Sequence, residues 1–151
     1  MRRIRKFIYL LQREKILFLR ALLLLVDSRF SLQFRQFKNV ARHFSRKASA
    51  QQPARVCSVS SVRVAALLNA ASCFIPPPTC LSKALAGSVL FRSCGYQTLL
   101  HIGIAKEGGS MLDAHAWLTL DGSVIVGDRS DLGRYRELPF VFDNGKDKSG
   151  Q

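Results

Sequence analysis

Apolar residues recur every three or four positions in the first third of the chain and then alternate with polar ones past residue 95. Ile4, Ile8, Leu11, Phe18, Leu22 and Leu25, with Lys15 on the same row, step mostly by three and four. Arg2, Arg5, Arg13 and Arg20 fall largely elsewhere. That pattern predicts an amphipathic helix over residues 2–25. The apolar run Ile16–Val26 spans 11 residues and contains Arg20, well short of the roughly 20 a bilayer crossing needs. It reads as a buried helix. Asp27-Ser28 breaks the row, and a second amphipathic piece follows on Phe30, Phe34, Phe37, Val40 and Phe44.

Residues 45–55 are small and polar and read as a linker. A helix over Val59–Ala71, with Val62, Ala65, Ala66 and Leu67 apolar, is stopped by Pro76-Pro77-Pro78. Proline lacks an amide donor and holds its predecessor extended. Thr79 then offers an N-cap for a helix from Cys80 to about Ser93, and Gly95 ends it. Tyr96–Ala105 and Ala114–Leu120 have the composition of strands. Asp121-Gly122 is a hairpin turn leading to a third strand, Ser123–Val126. The expected fold class is α+β: a cysteine-bearing helix packed on a small antiparallel sheet, preceded by a helical region. The expected division is a basic helical region over 1–50, a core over 51–142 and a frayed tail over 143–151.

Charge sharpens the division. The net charge is +13. Residues 1–50 hold 13 Lys and Arg against only Glu14 and Asp27, so nearly all of the excess lies there. This suits either a solvated helix face or a docking surface for an acidic partner or an anionic membrane. Cationic residues interleaved with aliphatic ones, with no recognition motif, argue against nucleic acid. Cys57, Cys73, Cys80 and Cys94 show neither CxxC pairing nor zinc-ligand spacing. No secretory pattern opens the chain. Free thiols and a cytoplasmic location, with peripheral contact at the inner membrane face, are the expectation. No metal and no cofactor is expected.

Cys80 stands where a helix begins. There the macrodipole and unpaired amides favour a thiolate, and those amides also suit a developing oxyanion. Lys83 follows one turn later. A nucleophilic cysteine needs a base, and the base an orienting acceptor. His115 lies on a predicted strand. Asp128 lies at the end of the next one, at matching depth when residues are counted outward from the Asp121-Gly122 turn. Asp121 is accounted for by the turn and Asp113 by the loop before the strand. His101 is read as core or site wall, and Cys57, Cys73 and Cys94 as structural.

Residues from about Pro78 to Pro139 resemble the transglutaminase-like cysteine protease of lasso-peptide biosynthesis, which removes the leader from a precursor peptide. Three stretches carry the likeness: Thr79-Cys80-Leu81-Ser82-Lys83-Ala84-Leu85-Ala86, Leu100-His101-Ile102-Gly103-Ile104, and Ala114-His115-Ala116-Trp117-Leu118-Thr119-Leu120-Asp121-Gly122. The ending Asp131-Leu132-Gly133-Arg134-Tyr135 with Leu138-Pro139 fits as well. The basic region before residue 50 is similar to the helical N-terminal part of the stand-alone form. Lys83 and Thr119 depart from the usual residues, an arginine and often an acid.

The resemblance implies a papain/transglutaminase-like fold and a Cys80–His115–Asp128 triad, with Asp128 at the least fixed offset. It implies a precursor peptide as substrate, a leader-recognition protein acting in trans, and a lasso cyclase whose ATP belongs to that partner alone. Two other readings fit the same residues. One is a transglutaminase-like acyltransferase, in which an amine resolves the thioester. The other is a non-catalytic basic adaptor that keeps the fold as a scaffold.

Overall fold

A computed structural model describes residues 12–50, 59–75, 79–107 and 111–138. The architecture is α+β. Helices α1 (Gln12–Phe34), α2 (Phe37–Ser49), α3 (Ser61–Ser72) and α4 (Cys80–Ser93) precede strands β1 (Leu99–Glu107), β2 (Met111–Leu120), β3 (Ser123–Val126) and β4 (Arg136–Glu137), with a 3-10 turn at Leu132–Arg134. The strands form one antiparallel sheet in the order β3-β2-β1-β4. The expectations for Ile4, Ile8, Leu11 and the N-terminal arginines, for Cys57, for Pro76-Pro77-Pro78 and for the tail lie outside the described residues.

The helical core is built around α4. Its residues Ser82, Ala84 through Phe91 and Ser93 are buried, the signature of a helix covered nearly all round. It touches α1, α2 and α3 on one side and β2 on the other. Small residues allow the close approach. A Cβ at Gly87 would sit 2.8 Å from Leu118 Cδ1 and 3.0 Å from Leu68 Cδ2. The cap is as the sequence predicted: the Thr79 hydroxyl accepts from the Ser82 amide at 3.2 Å, and the backbone turns away at Gly95 with φ +86°.

The helical region differs from the sequence reading in three respects. First, α1 does not break at Asp27-Ser28 but runs to Phe34. Ser28 is buried and donates back to Leu25 O at 2.9 Å and across to Ser82 O at 3.1 Å. Its hydroxyl is satisfied inside the helix and does not compete for the backbone. Asp27 pairs with Lys47 of α2 at 2.7 Å. Second, residues 45–49, expected as linker, are the last turns of α2. Third, Phe30 and Phe34 face solvent, whereas Val40 and Phe44 of the expected row are buried. In α3 the inward face is Val64, Ala65, Leu67, Leu68 and Ala71, leaving Val62 and Ala66 outside.

The strands begin and end within a few residues of expectation. Asp121 at φ +50° and Gly122 at φ +81° make the β2–β3 turn, both left-handed as a two-residue hairpin requires. The register carries one surprise. Thr119 pairs with Val124 but Leu118 pairs with Val126, so a bulge absorbs one residue. The even count that sets His115 opposite Asp128 therefore does not hold.

Candidate active site

Period-two alternation splits β2 between two environments. Ala116 and Leu118 join the helical core with α4, while Trp117 joins a second cluster with Ala105 and Tyr135. His115 belongs with Trp117 and is 7% exposed. Its ring stacks on Trp117 with centroids 6.0 Å apart and on Tyr135 at 5.4 Å. His101, directly across from Trp117 on β1, also stacks on the indole, at 5.4 Å and 8°. It thus walls the site from the neighbouring strand. His101 Nε2 is 2.8 Å from Thr119 Oγ1 and its Nδ1 is 3.4 Å from Glu137 Oε2.

His115 Nε2 lies 2.7 Å from the carbonyl oxygen of Gly127. A carbonyl only accepts, so Nε2 carries the hydrogen and Nδ1 is the basic nitrogen of the neutral ring. Gly127 holds φ +81°, and a Cβ there would meet Ala116 O at 2.7 Å. Only glycine brings its carbonyl to this spot without strain. Asp128, the next residue, is exposed, and its carboxylate makes no hydrogen bond to His115 among the described residues.

Cys80 opens α4, half-buried, and its Sγ lies 3.8 Å from Ala114 O. The thiol is therefore beside β2 one residue before His115. No hydrogen bond joins Cys80 to His115 among the described residues. Cys73 is exposed and Cys94 buried, and neither they nor Cys80 form a disulfide. Lys83, one turn on, is half-buried.

Asp113, assigned from the sequence to a loop, is in β2 and anchors the far side of the site. Its Oδ2 accepts from Tyr135 OH at 2.5 Å and from Arg134 Nη2 at 2.7 Å. Arg134 and Arg129 also hold Asp131, and both guanidiniums lie over the Tyr135 ring. The Asp113 hydrogen bond, and burial after it, raise the Tyr135 pKa above 10.0 against the pull of the two arginines. This strap presses Tyr135 onto His115. Gly103 makes room for it, since a Cβ there would be 2.8 Å from Tyr135 Cβ and 3.1 Å from Trp117. The signal was available: Asp113, His115 and Trp117 are spaced by two on one strand.

A helix-borne cysteine against an antiparallel strand that carries a buried histidine defines a cysteine protease or acyltransferase type of core. A family model of the transglutaminase-like superfamily matches residues 22–139, and the chain belongs to that superfamily. The match begins inside α1 and so takes in helices on both sides of the expected boundary at residue 50. No curated protein and no solved structure matches the chain. No helix among the described residues is long and apolar enough to cross a membrane.

Proposed function

We infer that this chain is a cysteine peptidase that removes the leader from a lasso-peptide precursor, working with a separate leader-recognition protein and a macrolactam cyclase. The observation that carries the reading is the meeting of Cys80, at the capped start of α4, with β2 at Ala114, next to a histidine whose tautomer leaves Nδ1 basic. Membership of the transglutaminase-like superfamily and the three stretches quoted above supply the rest of the support.

In the proposed reaction His115 Nδ1 takes the thiol proton and Cys80 Sγ adds to the scissile carbonyl. The imidazolium then protonates the departing amine as the C–N bond breaks, leaving a thioester. Water, deprotonated by His115, attacks the thioester and releases the leader carboxylate and free Cys80. The thiol turns from Ala114 O to Nδ1 for the first step. Such contacts are commonly loose in empty sites and tighten on substrate binding. The amides of Cys80 and Leu81 have no intrahelical acceptor and face the developing oxyanion. Asp128, the expected third member, lies one residue beyond the carbonyl that holds His115 and takes no part in holding the ring.

The test is mass spectrometry of a lasso precursor peptide incubated with this protein, the recognition protein, the cyclase and ATP, beside a Cys80→Ala control. Loss of a leader-sized mass with the native chain alone is the expected result. Cleavage that survives Cys80→Ala refutes the thiol mechanism. An amine adduct at the same carbonyl, in place of hydrolysis, assigns the chain to the acyltransferase class.

A further inference from the structure

Helix α1 has two apolar faces. One, made by Leu17, Phe18, Ala21, Leu24 and Leu25, enters the core. The other consists of Ile16, Leu19, Leu23, Val26, Phe30 and Phe34, each exposed by 37–74%. From Ile16 to Phe30 this second row steps three, four, three, four, the spacing of the seam between two coiled helices. At 3.6 residues per turn the row runs about 27 Å along the helix within an arc of about 80°. That is narrower than the apolar face of about 100° or more typical of a helix buried along one side.

One border of the seam is cationic. The same helical arithmetic puts Lys15 and Arg29 along it, with Arg13 and Arg20, which already have partners within the chain, along the other edge. The two acids of the helix are engaged within the chain, Glu14 with Arg63 and Asp27 with Lys47. A second copy would set cation against cation. The narrow seam suits a helix better than a lipid surface.

We propose that the outer face of α1 docks an amphipathic helix of a partner protein, one with apolar residues at three-four spacing and acidic residues along the border that meets Lys15 and Arg29. Border charges choose the partner and the apolar row holds it. The surface does not depend on the chemistry at Cys80, so neither proposal falls with the other.

The probe is a synthetic helical peptide of three heptads with Leu at the seam positions and Glu along the border that meets Lys15 and Arg29, its binding followed by fluorescence anisotropy. The control peptide carries Lys in place of every Glu. The full-length chain is expected to bind the Glu peptide with a Kd of about 1–100 µM, more weakly as salt is raised. It is expected to bind the Lys peptide at least about tenfold less well. Leu23→Glu and Phe30→Ser, both at exposed positions, are expected to keep the native Tm and to lose about tenfold or more in affinity. Flotation with phosphatidylglycerol vesicles and sedimentation equilibrium of the free chain run alongside. The proposal is overturned by no Leu23-dependent binding at about 1 mM peptide or by equal binding of the two peptides. Leu23-dependent self-association, or vesicle binding without a preference for the Glu peptide, overturns it as well.

Discussion

The His115 imidazole is held by a peptide carbonyl: Nε2 lies 2.7 Å from Gly127 O, while the neighbouring Asp128 carboxylate stays at the surface. A backbone acceptor fixes the tautomer as firmly as a carboxylate does but adds no full charge. Orientation of the ring is thereby set by the main chain and split from the carboxylate one residue further on.

That split sets the size of the Asp128 effect. Asp128→Asn is expected to slow precursor cleavage only about tenfold, whereas Cys80→Ala and His115→Ala lose at least about a thousandfold. Single-turnover rates by mass spectrometry would measure all three. Equal losses for Asp128→Asn and His115→Ala would give the orienting role to the carboxylate.

Gly127→Ala tests the carbonyl directly. The added Cβ meets Ala116 O at 2.7 Å on a backbone at φ +81°. The cost is expected to be about 1–3 kcal/mol in urea unfolding. The His115 ring resonances should also shift as the bond to residue 127 is lost. An unchanged midpoint would contradict the geometry.

Tyr135 carries a pH signature. Its pKa is raised, first by the Asp113 hydrogen bond and then by burial. Above the ordinary tyrosine value of 10.0 the folded state keeps a proton that the unfolded state has lost, so stability falls as pH rises. The contribution is complete below pH 10 and disappears as pH climbs through the folded-state value. Tyr135→Phe is therefore expected to flatten the alkaline fall in Tm. A fall as steep as the native protein's would mean the phenol is not the group responsible.

Ser28→Ala removes the hydroxyl shared between Leu25 O and Ser82 O. A loss of about 1 kcal/mol is expected. Ser28→Leu, forced against α4, should cost more, about 1–3 kcal/mol. Denaturant midpoints decide the order. A stabilised Ser28→Leu would show spare volume between the two helices.

The parts of the fold legible in the sequence were those fixed by local chemistry. Thr79 capped α4, and Asp121-Gly122 turned the hairpin. β-branched alternation marked the strands. What escaped depended on distant partners. Asp27-Ser28 looks like a break until Lys47 and Ser82 supply the bonds that keep it helical. The bulge opposite Leu118 and Thr119 leaves no local signature, and with the end of β3 at Val126 it undoes the register count. Cys80 and His115 were singled out from residue type and helix position, and the structure sets the Cys80 thiol beside Ala114, the neighbour of His115. Asp113 was misplaced because its partners, Tyr135 and Arg134, come more than 20 residues later.

Trp117 is the only tryptophan of the chain, and its indole stacks with the rings of both His101 and His115. An imidazolium quenches indole emission by accepting an electron, and a neutral imidazole does so far less. The protein therefore carries its own optical gauge of proton occupancy at the site. His101→Gln would remove one of the two stacked imidazoles and isolate the signal of His115. Proton uptake at the base then becomes readable without substrate, partner or label.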